Sequence, residues 1–133
     1  MSAQLAMPLR APARDQRERI RAETLRVLEE RGEAWILKAA LADRVCYRLG
    51  LDGLAPETRQ RRIKEAIREL RIRRVLIASG VLGYRLDPER KTSRGRRIAQ
   101  IRSMAETFRS EDAALADSLT RWLDEVAPEK EHT

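Results

Sequence analysis

Apolar positions along the 133-residue chain recur at helical spacing in most segments and at strand spacing in two short ones. Ile20, Thr24, Val27, Leu28 and Arg31 fall three or four residues apart, which predicts a helix from about Ala13 to Arg31, stopped by Gly32. Trp35-Ile36-Leu37 is an apolar triplet, too short for a helix and suited to a small strand. A second helix is predicted from Ala39 to about Leu49, with Leu41, Ala42, Val45 and Leu49 on one side and Cys46 and Tyr47 near it. Gly50 and Gly53 break the pattern, and Pro56 then fits the first position of a third helix, with Glu57 complementing its dipole. On a helical wheel Ile63, Ile67 and Leu70 form the core side of this helix. Thr58, Arg61, Glu65 and Arg68 lie opposite, flanked by Arg62 on one shoulder and by Lys64 and Arg71 on the other.

The period changes after Arg74. Val75-Leu76-Ile77-Ala78 is rich in strand formers, Gly80 and Gly83 supply turning residues, and Tyr84-Arg85-Leu86 alternates, so a β-hairpin closed by Asp87-Pro88 is expected. From about Glu89 the helical rhythm returns. Ile98, Ile101, Ala105, Phe108, Leu115, Leu119, Trp122 and Val126 follow a heptad-like spacing with Asp112 as its polar member. This reads either as one helix or as two with a corner near Ser110, where Ser110, Glu111 and Asp112 can cap a new start. The expected class is mainly α with a small β-hairpin. Its organisation is a loose leader over 1–12, a helix and hairpin domain over 13–87, a C-terminal helical segment over 88–127 and a tail over 128–133. The length suits a single core rather than two separate ones.

Charge sharpens this picture. The 28 basic and 21 acidic side chains are unevenly spread: residues 1–57 carry a net +1, residues 58–97 a net +10 and residues 98–133 a net −4. Only four of the cations are lysines, so the excess is almost entirely guanidinium, which binds phosphate in a bidentate fork. Several chemistries drop out. The single cysteine, Cys46, cannot close a disulfide within the chain and reads as an inert small hydrophobe. The single histidine, His132, lies next to the last residue, which removes a Cys/His zinc site and imidazole catalysis. No paired carboxylates share a core face and no glycine-rich phosphate loop is present, so no enzyme, metal or cofactor is expected. No apolar run approaches the roughly 18 residues of a membrane span, and the first residues lack a signal-peptide pattern, so a soluble cytoplasmic protein is expected.

The stretch Arg62-Ile-Lys-Glu-Ala-Ile-Arg-Glu-Leu-Arg71, followed by Ile77-Ala-Ser-Gly80 and Gly83-Tyr-Arg-Leu86, resembles the recognition helix and wing of winged helix-turn-helix regulators of bacteria and phages, including the biotin-repressor type. The resemblance covers roughly residues 14–87. It departs at Arg73-Arg74, where the family usually has a glycine, and in the longer loop from Gly50 to Ala55. It implies a sequence-specific double-stranded DNA-binding protein acting as a transcriptional regulator, with a helix over about 56–72 in the major groove and a wing over about 75–86 on the backbone or minor groove.

Residues near the N-terminus of such a helix penetrate deepest, which makes Thr58, Arg61, Arg62 and Glu65 the base-edge candidates. For Glu65 an ordinary ion pair with Lys64, Arg68 or Arg73 comes ahead of base readout. Arg68, Arg71, Arg73, Arg74, Arg85, Arg94, Arg96 and Arg97 are the phosphate and wing candidates, with Arg90 and Lys91 extending the track. Tyr84 and Trp35 read as core residues. Ile101, Phe108, Leu115, Leu119 and Trp122 form an apolar seam that closes either within the chain or in a homodimer, the dimer being the expectation because such regulators commonly match a two-fold operator. The rival reading is a protein interaction module that docks on RNA polymerase or a replication or partition assembly.

Overall fold

The computed structural model describes residues 13–87 and 93–127; Pro88, Arg90, Lys91, the 1–12 leader and the 128–133 tail with His132 lie outside them. The described residues form five helices and one antiparallel hairpin. In chain order these are α1 (Arg14–Arg31), α2 (Lys38–Arg48), α3 (Pro56–Ile72), β1 (Ile77–Gly80), β2 (Gly83–Leu86), α4 (Arg94–Phe108) and α5 (Ala113–Val126). Gly32 ends α1 at φ +61, and Pro56 opens α3, as their positions imply.

Only Ile36 of the apolar triplet pairs with the hairpin. It exchanges two backbone hydrogen bonds with Tyr84, each 2.9 Å, and so joins the segment before α2 to β2. Gly83 makes this approach possible. Its φ is +105, and a Cβ there would lie 2.0 Å from the Ile36 carbonyl oxygen. The hairpin strand begins at Ile77 rather than Val75, because residues 73–75 form the turn that stops α3. Arg74 takes the left-handed conformation (φ +71) and the Val75 N–H donates back to the Leu70 carbonyl at 2.9 Å, a helix stop that normally uses glycine. The departure from the family pattern at Arg73-Arg74 thus sits where an arginine is held in a glycine's conformation.

The apolar side chains gather into two clusters, not one. The first joins α1, α2, α3 and the hairpin around Ile20, Val27, Leu28, Leu41, Val45, Ile63, Ile67, Leu70 and Ile77. The second is built by α4 and α5 around Ile101, Leu115, Leu119, Trp122 and Leu123, and it reaches the rest of the chain through Ile72 and Leu76. Leu70 and Ile77 face one cluster while Ile72 and Leu76 face the other, so the end of α3 and the start of β1 form the joint between them.

Four expectations change. Cys46 takes the inward position on α2 and Tyr47, a further 100° round the helix, is 74% exposed. Trp35 is half-buried rather than core, with the Arg85 guanidinium 4.9 Å from its ring centre. Of the two readings open for the C-terminal segment the structure has the two helices, and Asp112 is the N-cap of α5, accepting from the Leu115 N–H at 3.2 Å, not a polar member of a continuous seam. Ile101, Leu115, Leu119 and Trp122 are buried, with Phe108 half-buried, inside a single chain. The seam expected to form a homodimer is therefore used up between α4 and α5, and among the described residues no large apolar side chain of that pair is left exposed.

Candidate nucleic-acid interface

The three helices of the first cluster are fixed to one another by charge as well as packing. Arg48 bridges Glu23 and Glu30 of α1, Arg21 of α1 reaches Glu69 of α3 at 3.0 Å, and Arg59 of α3 meets Asp43 of α2 at 3.1 Å. The Arg59 guanidinium also donates to the Asp52 and Leu54 carbonyls, which closes the long loop onto the start of α3. These pairs set which face of α3 is left over.

That face differs between its two ends. At the N-terminal half Arg61, Lys64 and Glu65 are exposed, and neither cation has an ion-pair partner among the described residues. Glu65 makes no pair with Lys64 or Arg68, while Glu69 is held by Arg21. Thr58 is half-buried in the first turn. Arg62 does not point outward with Arg61. It is half-buried on the flank facing α1, in a small recess with Arg17, Ile20 and Glu69, and its Nε is buried without a hydrogen-bond partner. One residue step of about 100° is enough to move it from the exposed side that Arg61 occupies to the α1 side.

The C-terminal half of α3 is closed by the second cluster. Arg68 forms a two-pronged pair with Asp112, Nε to Oδ2 at 2.6 Å and Nη2 to Oδ1 at 3.2 Å. The Arg68 guanidinium, aided by the Leu115 N–H, holds the Asp112 carboxyl below its usual range, and Asp112 in turn raises the Arg68 pKa. Arg71 is buried. Its Nε and Nη2 both donate to the Ile77 carbonyl, at 3.2 and 2.8 Å, and its guanidinium lies 5.3 Å from the Phe108 ring centre. Neither stands on the exposed face of α3: Arg68 is held by Asp112, and Arg71 is buried at the base of a cleft where the two cores meet.

The remaining expected phosphate contacts divide similarly. Arg74 pairs with Glu125 of α5, Arg94 donates to the Val126 carbonyl, and Arg97 lies over the Trp122 ring at 5.6 Å. Arg85 is stacked on Trp35. Arg73 and Arg96 are exposed, with no ion pair among the described residues. Among the described residues there is no group of three or more potential metal ligands and no helix long and apolar enough to cross a membrane.

Two features escaped the pattern reading. Lys38, the first residue of α2, lies beside Arg61 and Lys64 in one cleft and 5.4 Å from the Tyr84 ring centre, a placement set by chain crossing rather than by local spacing. The hairpin turn is Val81-Leu82, 99% and 58% exposed, with Leu37 (60%) in the segment that Gly83 approaches. Its tip is thus apolar and not basic, which the Ser-Gly-Val-Leu-Gly spacing already contained. Compared with known proteins, the chain matches no family, no curated protein and no solved structure.

Proposed function

We propose that the protein is a sequence-specific double-stranded DNA-binding regulator of the winged helix-turn-helix kind, in which α3 enters the major groove by its N-terminal half. The reading is supported by the order of helix, bridged residue, helix, helix and hairpin, with Ile36 and Tyr84 supplying the third strand contact. The observation that carries it is the pair Arg61 and Lys64, exposed, without ion-pair partners among the described residues, and lining the same cleft as Ser79 and Tyr84 of the hairpin. Arginine at such a position can donate two bonds to a guanine edge, and lysine can meet guanine or phosphate. The hairpin then places Val81 and Leu82 against the neighbouring minor groove, where apolar side chains pack on sugars or wedge between base steps.

The apolar tip with Leu37 also favours a second reading, in which the hairpin docks on a protein surface such as RNA polymerase. Binding of a labelled random duplex at rising salt tests the first reading. Affinity at low salt that falls steeply with salt supports it; absence of affinity rejects it. Replacing Val81 and Leu82 by serine weakens duplex binding if the tip meets DNA and leaves it unchanged if the tip serves a protein partner. A homodimer, if DNA binding calls for one, has to use surfaces other than the α4–α5 seam.

A further inference from the structure

Arg71 is a buried cation with no counter-ion among the described residues. It is 6% exposed, and among the described residues no carboxylate contacts it. Its two hydrogen bonds converge on a single carbonyl, that of Ile77, and Nη1 takes part in neither. Burial lowers its pKa from the ordinary guanidinium value, the field of Tyr84 acting the other way, yet an arginine stays charged in proteins. A buried charge left unpaired is strongly unfavourable, so such a group is normally completed by an anion.

The same arginine lines a cleft of about 430 Å³ between α3, the hairpin and the corner from α4 to α5. That volume is in the range of small-molecule sites. Its polar lining is biased to positive charge. Lys38, Arg61 and Lys64 stand at its walls without ion pairs among the described residues, and Arg68 is already neutralised by Asp112. Glu65 and Glu111 are the opposing carboxylates, fewer than the four cations that remain. Ile67, Leu115 and Phe108 add an apolar wall, with Phe108 directly over the Arg71 guanidinium. The cleft therefore combines a buried cation, further cations at its walls and an aromatic face, and it straddles the joint between the two cores.

We propose that this cleft binds a small organic anion with an apolar body, its carboxylate or phosphate group completing Arg71 and its apolar part resting on Phe108 and Ile67. Occupancy ties α3 to the C-terminal helices. It also engages Arg61 and Lys64, so the ligand competes with DNA. Only this last consequence rests on the DNA-binding reading; the cleft itself stands without it.

Calorimetric titration of the full chain with 2-naphthoate, its neutral counterpart 2-naphthamide and inorganic phosphate tests the site. The naphthoate is expected to bind saturably and to raise Tm. The amide should bind at least about tenfold more weakly, because it gives the buried guanidinium no counter-charge, and phosphate should bind more weakly than the naphthoate for want of the apolar contact. Arg71→Met should abolish the preference for the acid over the amide. If that variant fails to fold, Lys38→Met at the exposed wall should reduce naphthoate affinity while leaving the circular dichroism spectrum unchanged. Equal binding of acid and amide, no binding of either, or naphthoate affinity unaltered in both variants overturns the proposal. A chain that binds naphthoate but no duplex keeps the cleft and loses the DNA reading, and a chain that binds duplex but no naphthoate does the reverse.

Discussion

The helix and hairpin unit of residues 14–87 and the C-terminal pair α4–α5 are organised by different means. None of the first three helices has a side-chain N-cap; Ala13, Leu37 and Ala55 occupy those positions. Their placement depends on contacts between distant residues, such as Arg21 with Glu69 and Arg48 with Glu23 and Glu30. Both C-terminal helices start on local signals, Ser93 accepting from the Arg96 N–H and Asp112 from the Leu115 N–H. They then bury their apolar faces almost wholly on each other. Among the described residues the first unit leaves exposed cations without ion pairs, and the second leaves no large apolar side chain exposed and directs two of its carboxylates at the first. Asp112 and Glu125 neutralise Arg68 and Arg74, so the C-terminal pair reduces the basic surface at the C-terminal end of α3, where Arg73 stays exposed.

The contrast can be broken by substitutions of graded effect. Leu119→Ala, at a fully buried position of the C-terminal cluster, should cost about 2–5 kcal/mol in denaturant unfolding. Hydrogen exchange should show amides of α4 and α5 losing protection before those of α1–α3; simultaneous loss everywhere would mean that the two cores unfold as one. Gly83→Ala acts on the other region. A Cβ placed against the Ile36 carbonyl, at a backbone angle suited to glycine, should cost about 3 kcal/mol and detach the hairpin, seen as loss of protection at the Ile36 and Tyr84 amides.

Asp112 sits between the regions and gives a smaller, pH-dependent effect. Its folded pKa is depressed, so its contribution is present above about pH 4 and is lost as the pH falls through the lower folded value. Asp112→Asn keeps an N-cap and should remove this acid-side dependence. Asp112→Ala should cost about 1 kcal/mol more through the lost cap. Unchanged acid unfolding of the Asn variant would separate Asp112 from the joint. The smallest effect is a gain. Arg74→Gly relieves a left-handed arginine, worth about 1 kcal/mol, against a partly exposed pair with Glu125 worth up to about 1 kcal/mol. A net rise in Tm is expected, and a fall would show that the pair outweighs the strain.

Much of this architecture was legible in the chain. Gly32 and Pro56 punctuate helices where their chemistry requires, and the spacing of Ile63, Ile67 and Leu70 identifies the buried side of α3. The fate of individual arginines was not legible. Arg68 finds its carboxylate 44 residues away and Arg74 finds one 51 residues away, distances over which a local charge sum carries no information. Arg71 and Arg62 were misplaced for a related reason: a wheel shows which residues leave one core, and this helix touches a second core and the flank of α1. The heptad rhythm of α4 and α5 likewise specified an apolar seam without specifying whose surface completes it.

The central claim is that DNA meets the N-terminal half of α3 and not the half covered by α4–α5. It is tested by the salt dependence of random-duplex affinity in two variants compared with the wild type. Arg61→Ala with Lys64→Ala should weaken binding and reduce the slope of log K against log salt by up to about 1.8, about 0.9 for each of the two cations that meets phosphate on random duplex. Arg68→Ala, which removes a guanidinium held by Asp112, should leave the slope unchanged. A slope unaffected by the double substitution but reduced by Arg68→Ala would contradict the account.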